Sequence, residues 1–505
     1  MKKTFLLSFL LTLSLSSCLP QESSTSSSST SHSSSFSTIE NSSVGSTTTS
    51  SETSTSSPEK GDGIVTLYSV NDFHGKIAQD SQYPGLLALQ GAIKADVRYE
   101  NSSLFFSAGD MWQGSYVSGY DKGKSTTELM NLFPFSAMAL GNHEFDWGVD
   151  TIQDNIAVAD FPLLCSNLVE EETGKRPDWI QDHAVFEVEG HKLGIVGAIG
   201  ADLESDIKAS RLEGYSFTNN KDVLNESYQK CLDEGAEMVL LLLHDDEDSG
   251  YTDFIQNSGI GFSAIFGGHS HQFQYQENAR IPYVQGGADS KGYSYIQLDF
   301  NRKEVVSLGY EHVKADYSSL ADELLTEAVQ EVIDSVPLET IGYIQGSWDR
   351  EETASLVVHA MFDAAVSAYP EREYSEENLI AAHNTGGVRA EFPDSSTSYP
   401  VTMADIQLVS PFDNEVWVLP DKEISSNGMR YNYCYPDAST LDGKVADVVL
   451  IDYLLDTYHE PMYDSQGGEK LLDEEGQPYV IYDIIADYIA KNSSLEDPLR
   501  PSDFR

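Results

Sequence analysis

The side chains best suited to chemistry occur in five short polar clusters, each of which follows an apolar run of strand length. One cluster extends from Gly141 to Gly148, reads Gly-Asn-His-Glu-Phe-Asp-Trp-Gly and follows the run from Ser136 to Leu140. Asparagine and histidine offer lone pairs to a metal, and histidine and aspartate can move protons. The bracketing glycines permit a tight loop close to a ligand. Taken alone, this octapeptide would also fit an ordinary strand-to-helix turn with a capping asparagine.

The other four clusters carry side chains of the same kinds. They are 71–75 (Asn-Asp-Phe-His-Gly), 109–110 (Gly-Asp), 244–246 (His-Asp-Asp) and 267–271 (Gly-Gly-His-Ser-His). Across all five clusters, the candidate metal ligands are Asp72, His74, Asp110, Asn142, His244, His269 and His271. These oxygen and nitrogen donors suit Mn, Zn, Fe or Co and do not choose among them. Their number exceeds the need of one tetrahedral ion and suits two divalent ions that share a bridging carboxylate, as in phosphoryl displacement.

Alternating strand and helix patterns must position these clusters. Helical candidates with apolar residues at three- and four-residue spacing lie between the strands, for example Pro84 to Tyr99 and Lys221 to Glu234. The repeated order of strand, polar loop and helix predicts an α/β domain. Sites in open α/β sheets assemble beyond the carboxyl ends of strands, which is where all five clusters lie.

Composition limits the possible partners. The chain has 505 residues, enough for two or three domains, and a formal net charge of −51 from 81 acidic and 30 basic residues. Such a charge argues against nonspecific binding to nucleic-acid polymers or to anionic membranes. The four cysteines form no CxxC pair, so neither a zinc knuckle nor a disulfide framework is indicated. The sequence indicates no protein partner.

The amino terminus predicts export. Two lysines precede an apolar run from Phe5 to Leu15, which is too short to span a bilayer as a mature helix. The string from Leu15 to Cys18 resembles a bacterial lipobox, which implies a signal peptide over 1–18 and lipidation of Cys18; a plain secretory signal is the alternative. Residues 19–61 are dominated by Ser and Thr and predict a disordered tether. We expect an extracytoplasmic protein that contacts the membrane through its lipid anchor only.

The carboxyl-terminal part has its own helical and strand patterns. Apolar residues share one face of a predicted helix from Tyr317 to Val336, which we interpret as a connector over 316–337 or, alternatively, as the last helix of the first domain. The connector would separate a first domain over 62–315 from a second over 338–505. One polar turn stands out in the second domain, from His383 to Arg389 after the apolar run Leu379 to Ala382.

The motifs, taken in order, resemble those of the calcineurin-like metallophosphoesterases. The order is Asp-x-His, Gly-Asp, Gly-Asn-His-Glu, a lone His after an apolar strand, and Gly-His-x-His. The fuller strings, with the turn that ends at Arg389, resemble the bacterial 5′-nucleotidase family. The resemblance implies an α/β fold: a metallophosphoesterase domain, with a β-sandwich flanked by helices, and a smaller α/β domain at the carboxyl terminus.

The resemblance also implies a role for each candidate residue. One metal would take Asp72, His74 and His271, the other would take Asn142, His244 and His269, and Asp110 would bridge them. A hydroxide between the ions would attack phosphorus. His143, oriented by Asp146, would stabilise charge on the transferring group or the leaving oxygen, and Arg389 would grip the phosphate. The residues expected to shape the loop before Arg389 are Asn384, Gly386 and Gly387.

The sequence departs from that family in the substrate region. The two aromatic strings that clamp the nucleobase are not found, and we assign the matching string from Pro411 to Asn414 to the framework. The expected function is hydrolysis of extracellular nucleotides, as by a 5′-nucleotidase, to nucleoside and phosphate. The alternatives are a 2′,3′-cyclic nucleotide phosphodiesterase, an esterase for another small phosphate ester, a non-catalytic ligand-binding lipoprotein, or an adhesin on a Ser/Thr stalk.

Overall fold

The computed structural model describes residues 63–80, 82–100, 103–430, 432–456, 463–473 and 476–504, which belong to one compact unit. The predicted signal peptide, Cys18 and the predicted tether over 19–61 lie outside these residues, so they stay predictions.

Strands and helices alternate along the described residues. The strands are β1 Ile64–Val70, β2 Leu104–Ser107, β3 Phe135–Ala139, β4 Leu163–Leu164, β5 Leu168–Glu170, β6 His183–Val188, β7 His191–Ile199, β8 Tyr215–Phe217, β9 Met238–His244, β10 Ile265–Gly268, β11 Phe273–Gln276, β12 Tyr283–Gly286, β13 Gly292–Asp299, β14 Glu304–His312, β15 Gly342–Gly346, β16 Leu379–Asn384, β17 Ser395–Val401, β18 Val416–Glu423, β19 Asn432–Tyr435, β20 Val445–Ile451 and β21 Glu469–Lys470. The helices are α1 Gly85–Ala95, α2 Tyr116–Gly119, α3 Lys124–Leu132, α4 Val149–Val158, α5 Lys221–Asp233, α6 Gly250–Asn257, α7 Glu323–Ser335, α8 Arg350–Ala368, α9 Met403–Val409, α10 Tyr453–Asp456 and α11 Ile481–Asn492.

Two mixed sheets form the first half of the molecule. Their strand orders are β14-β13-β1-β2-β3-β4 and β11-β12-β10-β9-β7-β6. Leu67 and Phe106 of the first sheet share a buried cluster with Leu240 and Phe266 of the second, so the two sheets pack face to face. Because β1, β2 and β3 are mutually parallel, as are β9 and β10, their carboxyl ends meet at common edges.

Helices cover the outer faces of this sandwich. Buried residues of α1 and α3 pack on the first sheet, and residues of α5 and α6 pack on the second. The predicted α/β architecture is therefore confirmed.

Two predicted helices are shorter in the structure. The helix expected from Pro84 ends at Ala95, because Asp96 takes an extended backbone conformation. The helix expected from Tyr317 begins at Glu323, after a 3₁₀ segment over 315–320. At this break Asp322 has an extended backbone, and its amide donates a hydrogen bond to Gln90 Oε1 at 2.8 Å.

A five-stranded sheet organises the carboxyl-terminal part, in the order β19-β16-β20-β18-β21. Helices α8 and α11 contribute Leu356, Val357 and Ile485 to the core that covers it. Strand β16 ends at Asn384, so the sheet delivers the loop that contains Arg389 at the end of a buried strand.

Candidate metal centre

The carboxyl ends of five strands deliver the candidate ligands. Asp72 and His74 follow β1, Asp110 follows β2 and Asn142 follows β3, all in the first sheet. The second sheet supplies His244 as the last residue of β9, with His269 and His271 directly after β10. The centre therefore lies where the edges of both sheets meet.

The ligand atoms form two clusters. Asp72, His74 and His271 make one, and Asp110, His244 and His269 make the other; within each cluster the ligand atoms lie within 4.8 Å of one another. The Nε2 atoms of His74 and His271 are 3.0 Å apart. Asn142 joins the second cluster, with its Oδ1 atom 3.0 Å from His244 Nε2 and 3.1 Å from His269 Nδ1. The structure thus brings together all seven predicted ligands.

Backbone carbonyls set the orientation of two histidine rings. His74 Nδ1 donates to the carbonyl of Gln113 at 2.8 Å, and His244 Nδ1 donates to the carbonyl of Ala108 at 2.8 Å. Because Nδ1 carries a proton in each ring, Nε2 is the ring atom that can bind a metal when the ring is neutral. Burial lowers the pKa of His74 well below its usual value, and that of His271 to about 4. Burial also disfavours a charged His244 ring, but Asp110 and Asp72 more than offset this effect and raise its pKa to about 10.

The ligand loops have unusual backbone conformations. Left-handed φ angles occur at Asp72 (49°), His74 (50°), Asp110 (57°), His269 (82°) and His271 (59°). Such conformations are costly for non-glycine residues and concentrate at functional sites. Gly141 is required for a different reason, since a Cβ atom there would lie 2.2 Å from Asp110 Oδ1. The backbone of the loop after β3 therefore packs directly against the side chain of Asp110 in the loop after β2.

His143 lies beside the two clusters. Its Nδ1 atom is 2.8 Å from Asp146 Oδ2, and its backbone amide donates to Asp110 Oδ1 at 2.9 Å. Burial disfavours a charged His143 ring, but Asp146 and Asp110 more than offset this effect and raise its pKa to about 9. The ring stacks on Phe412 with centroids 5.8 Å apart.

A cavity of about 400 Å³ joins the metal side to the carboxyl-terminal part. We call its two borders the metal side and the C-terminal wall. The metal side contributes Asp110, Asn142, His143, Asp146, His269 and His271; the C-terminal wall consists of Asn384, Gly386, Gly387, Arg389, Phe412, Asp413, Asn414 and Tyr453. Arg389 is exposed, and its guanidinium carbon lies 5.9 Å from the centroid of Phe412. All four residues predicted to contact substrate therefore face the same cavity as the ligands.

Comparison with known proteins identifies the domain that holds these ligands. A family model described as calcineurin-like phosphoesterase matches residues 65–273, which include all seven ligands. This segment is a calcineurin-like phosphoesterase domain. It places the chain among the metal-dependent phosphoric ester hydrolases. A 5′-nucleotidase from Diplobatis ommata is 24% identical over 401 residues, covering 70% of this chain and 68% of that protein.

Solved structures share the fold beyond the phosphoesterase domain. A 5′-nucleotidase precursor from Thermus thermophilus superposes with a TM-score of 0.67 at 18% identity, over 86% of this chain and 99% of that one. A sulfate thiohydrolase, also from Thermus thermophilus, superposes with a TM-score of 0.62 at 16% identity, over 88% of this chain and 96% of that one. One of these structures is named a nucleotidase and the other a thiohydrolase, yet both share this architecture. The fold alone therefore does not identify the substrate.

Sequence reasoning missed two residues that hold the phosphoesterase site together. Buried Glu144 accepts hydrogen bonds from the backbone amides of Gly141, Asp110 and Met111 at 2.7 to 2.8 Å, which ties the β2 loop to the β3 loop. Asn71 donates to Asp72 and to the carbonyl of Gly287. Their positions close to candidate ligands in the sequence could have indicated this role, because metal-binding carboxylates usually accept hydrogen bonds from neighbouring groups.

We did not predict from sequence that the segment 201–211 contributes to the cavity. Lys208 and Asp206 of this segment line the cavity. Lys208 forms an ion pair with buried Asp452, and Arg211 forms one with Asp413 at 2.6 Å. No local pattern predicts these pairs, because the partners are more than 200 positions apart in sequence. Phe412 and Asp413, which we assigned to the framework, also border the cavity.

The donor set fits two divalent cations. Each cluster contains one carboxylate and two histidines, and the second adds the Asn142 oxygen. The close approach of His74 Nε2 to His271 Nε2 supports this fit, since His74 directs a lone pair and no proton into the gap. Mixed nitrogen and oxygen ligands of this kind bind Mn, Zn, Fe or Co.

Proposed function

We propose that this chain is a dimetal phosphoesterase of the 5′-nucleotidase type, which hydrolyses extracellular nucleotides to nucleoside and phosphate. One observation carries the proposal: members of both ligand clusters, His143 and Arg389 border a single cavity. In this proposal the ligand clusters would hold the metal ions, His143 with Asp146 would transfer a proton, and Arg389 would bind the phosphate.

The roles of the chain's own residues follow from their contacts. Two divalent cations, when bound, would supply Lewis-acid chemistry and a nucleophile at neutral pH. Asp72, His74 and His271 would hold one cation, Asn142, His244 and His269 the other, and Asp110 both. His143 lines the cavity, and because Asp146 engages its Nδ1 atom, Nε2 is the ring atom left to donate to a substrate. Nε2 of His143 would therefore donate to the transferring phosphate or to the leaving oxygen.

Arg389 serves as the phosphate-binding cation from the C-terminal wall. Within the described residues its guanidinium makes neither a hydrogen bond nor an ion pair, although it faces the cavity. An arginine with unused donors suits bidentate binding of a phosphate. The loop of Asn384, Gly386 and Gly387 would position it, with the domain over 338–505 acting as the substrate-binding domain.

Two aromatic rings support a nucleotide as the substrate. Phe412 and Tyr453 border the cavity, although neither belongs to the two aromatic strings that the sequence lacks. Rings of this kind can stack on a base or cover a ribose. The relative from Diplobatis ommata is itself named a 5′-nucleotidase. The cavity alone also accommodates other small phosphate esters.

Phosphate release from a substrate panel tests the proposal. Full-length protein supplied with Mn²⁺ would be given AMP, UMP, a 2′,3′-cyclic nucleotide and an aryl phosphate, each with and without a chelator. We expect chelator-sensitive release from AMP and UMP with a higher kcat/KM than from the aryl phosphate. Faster turnover of the cyclic nucleotide would favour a phosphodiesterase. No turnover by protein that holds two metal ions would favour a ligand-binding protein.

We further propose an extracytoplasmic location with a lipid anchor at Cys18. Among the described residues, no helix combines the length and apolarity that crossing a bilayer requires. Mass spectrometry of the protein from its native membrane should show a diacylglyceryl-modified Cys18 as the first residue. An unmodified terminus at another position would contradict the anchor and leave the catalytic proposal untouched.

A further inference from the structure

Gln113 is a buried residue in the loop after β2, and it has been given no role above. It is 3% exposed. Backbone hydrogen bonds join its loop to the loop after β1, among them one of 2.9 Å from the amide of Gly75 to the carbonyl of Met111. Gly114, the next residue, packs so closely on His74 that a Cβ atom there would lie 2.6 Å from the Cβ atom of His74. The backbone of Gln113 is therefore held in place on both sides.

The main chain and the side chain of Gln113 bind different parts of the molecule. Its carbonyl accepts the 2.8 Å hydrogen bond from Nδ1 of the ligand His74. Its side-chain Nε2 atom donates to the carbonyl of Pro411 at 3.0 Å, across 298 positions of the sequence. One buried residue thus contacts both a metal ligand and the residue that precedes Phe412 of the C-terminal wall.

Phe412 packs on the face of His143. The two ring centroids are 5.8 Å apart and the ring planes are inclined by 24°, which is the geometry of an offset-stacked pair. Asp146 binds the same histidine through Nδ1. A single hydrogen bond leaves the tilt of a ring free, whereas packing on its face restricts that tilt, and a catalytic group needs both kinds of support. Phe412 therefore complements Asp146 in holding His143.

The segment before Phe412 has an anchor of its own. The amide of Arg389 donates to the carbonyl of Val409 at 2.8 Å, so the backbone of Arg389 does not depend on Gln113. A change at Gln113 should therefore act on Phe412 and, through it, on His143. The grip of Arg389 on a phosphate should stay as it is.

We propose that Gln113 is a positioning residue for catalysis, whose side-chain amide seats Phe412 of the C-terminal wall on the ring of His143. Gln113 is not among the described residues that line the cavity, so it acts by holding the carbonyl of Pro411. The inference rests on the proposed function for the role of His143. It gives Phe412 a task in the chemical step that is separate from any contact with a base.

Kinetics of full-length, metal-replete protein with AMP and ribose 5-phosphate test this role. Ribose 5-phosphate is AMP without its base, so contacts to a base cannot affect its turnover. The variants are Gln113→Met, which has a side chain of similar length but no donor, Phe412→Leu, and the double variant. Gln90→Met is the matched control, because Gln90 is also buried and its side chain also binds a distant backbone group, the amide of Asp322.

The expected effect is on kcat. Gln113→Met should lower kcat about tenfold for both substrates and keep KM for ribose 5-phosphate within about twofold, because a misplaced catalytic group slows the chemical step. Phe412→Leu should lower kcat for ribose 5-phosphate by a similar factor. The double variant should lose about tenfold as well, because two residues that act through one contact are not additive. Gln90→Met should keep the kcat of wild type.

The packing of the two rings can also be measured without turnover. The Cε1–H resonance of His143 would be recorded by NMR in Zn²⁺-loaded protein with labelled histidine, and His143→Ala would assign it. Phe412→Leu removes the ring current of the phenyl group, so it should shift this resonance. Gln113→Met should shift it in the same direction, and Gln90→Met should leave it unchanged.

Several results would overturn the proposal. Equal losses of kcat in Gln113→Met and Gln90→Met would leave Gln113 with a role in stability alone. A loss of about 100-fold in the double variant, the product of the single losses, would show that Gln113 does not act through Phe412. An effect on AMP alone would assign Phe412 to the base, and an unshifted His143 resonance in Gln113→Met would disprove the contact.

A second variant and the NMR measurement keep the test decisive. If Gln113→Met does not fold, Gln113→Asn replaces it, because that amide is one methylene shorter and falls short of the Pro411 carbonyl. If neither folds, the resonance in Phe412→Leu decides, and an unchanged position rejects the proposal. If wild-type protein turns over neither substrate, the proposed function fails, whereas the His143 resonance still shows whether Gln113 seats Phe412.

Discussion

The two borders of the cavity are built in different ways. On the metal side, Asp72 and His244 are fully buried, and their neighbours lock them through backbone hydrogen bonds. On the C-terminal wall, Arg389 and Gly386 are exposed, and the guanidinium of Arg389 makes no hydrogen bond or ion pair within the described residues. The metal side is therefore held by burial and internal hydrogen bonds, whereas the C-terminal wall presents an exposed cation to the cavity.

Removing a charge from the metal side should have the largest effect. Asp110→Asn should lower phosphate release by more than about 10³-fold, because bound metal lowers the activation barrier by several kcal/mol. Elemental analysis should show that the variant also loses metal. Asp413→Asn is the matched change on the C-terminal wall and should retain metal. Equal metal loss in both variants would remove the proposed distinction between the borders.

His143 separates ligand binding from catalysis within the metal side. His143→Ala should lower kcat by about 10²- to 10⁴-fold, the usual contribution of a general acid or base. Asp146→Asn should cost less, about 10- to 100-fold, because Asp146 orients the ring. Both variants should retain metal by elemental analysis. Metal loss in His143→Ala as severe as in Asp110→Asn would assign this histidine to the ligands.

Substitutions of Arg389 test the role of the C-terminal wall. Arg389→Gln should raise KM for a nucleoside monophosphate by about 10- to 100-fold, since hydrogen bonds to charged groups are worth that much. Arg389→Lys keeps the charge but loses the planar fork, so its KM should lie between those of wild type and Arg389→Gln. Steady-state kinetics with metal-replete protein measures both. A fall in kcat with KM unchanged would place this arginine in the chemical step instead.

The ion pairs between segment 201–211 and the C-terminal wall should have the smallest effects, and these should be on stability. Asp452 is 4% exposed and Asp413 is 31% exposed. Lys208→Met leaves a buried carboxylate unpaired and should cost about 3 kcal/mol in free energy of unfolding. Arg211→Met should cost no more than about 1 kcal/mol, as exposed pairs do. Urea denaturation of the full chain gives the order, and the reverse order would show that Asp452 does not depend on Lys208.

The metal side could be predicted from sequence because each ligand lies at the end of a strand or shortly after it. Polar residues directly after apolar runs locate both the strands and the ends where ligands gather, as for Asp72 after β1 and Asp110 after β2. The left-handed backbone at these residues was not predictable, since it depends on packing between loops.

The C-terminal wall was predicted only in part for a physical reason. Arg389 lies in a polar turn after a strand, so local pattern located it. Lys208 and Asp452 meet only through tertiary packing, and the sequence near either residue contains no sign of the other. Tyr453 and Phe412 face the cavity although neither belongs to the aromatic strings sought in the sequence. Contacts between distant segments, and the specificity that depends on them, therefore needed the structure.

A metal titration tests the central claim most directly. Metal-free full-length protein would receive increasing Mn²⁺, with bound metal per chain and release of phosphate from AMP measured on the same samples. The two ligand clusters predict that activity rises until two ions are bound per chain and then stays constant. Full activity with one ion bound, or with none, would contradict the dimetal account.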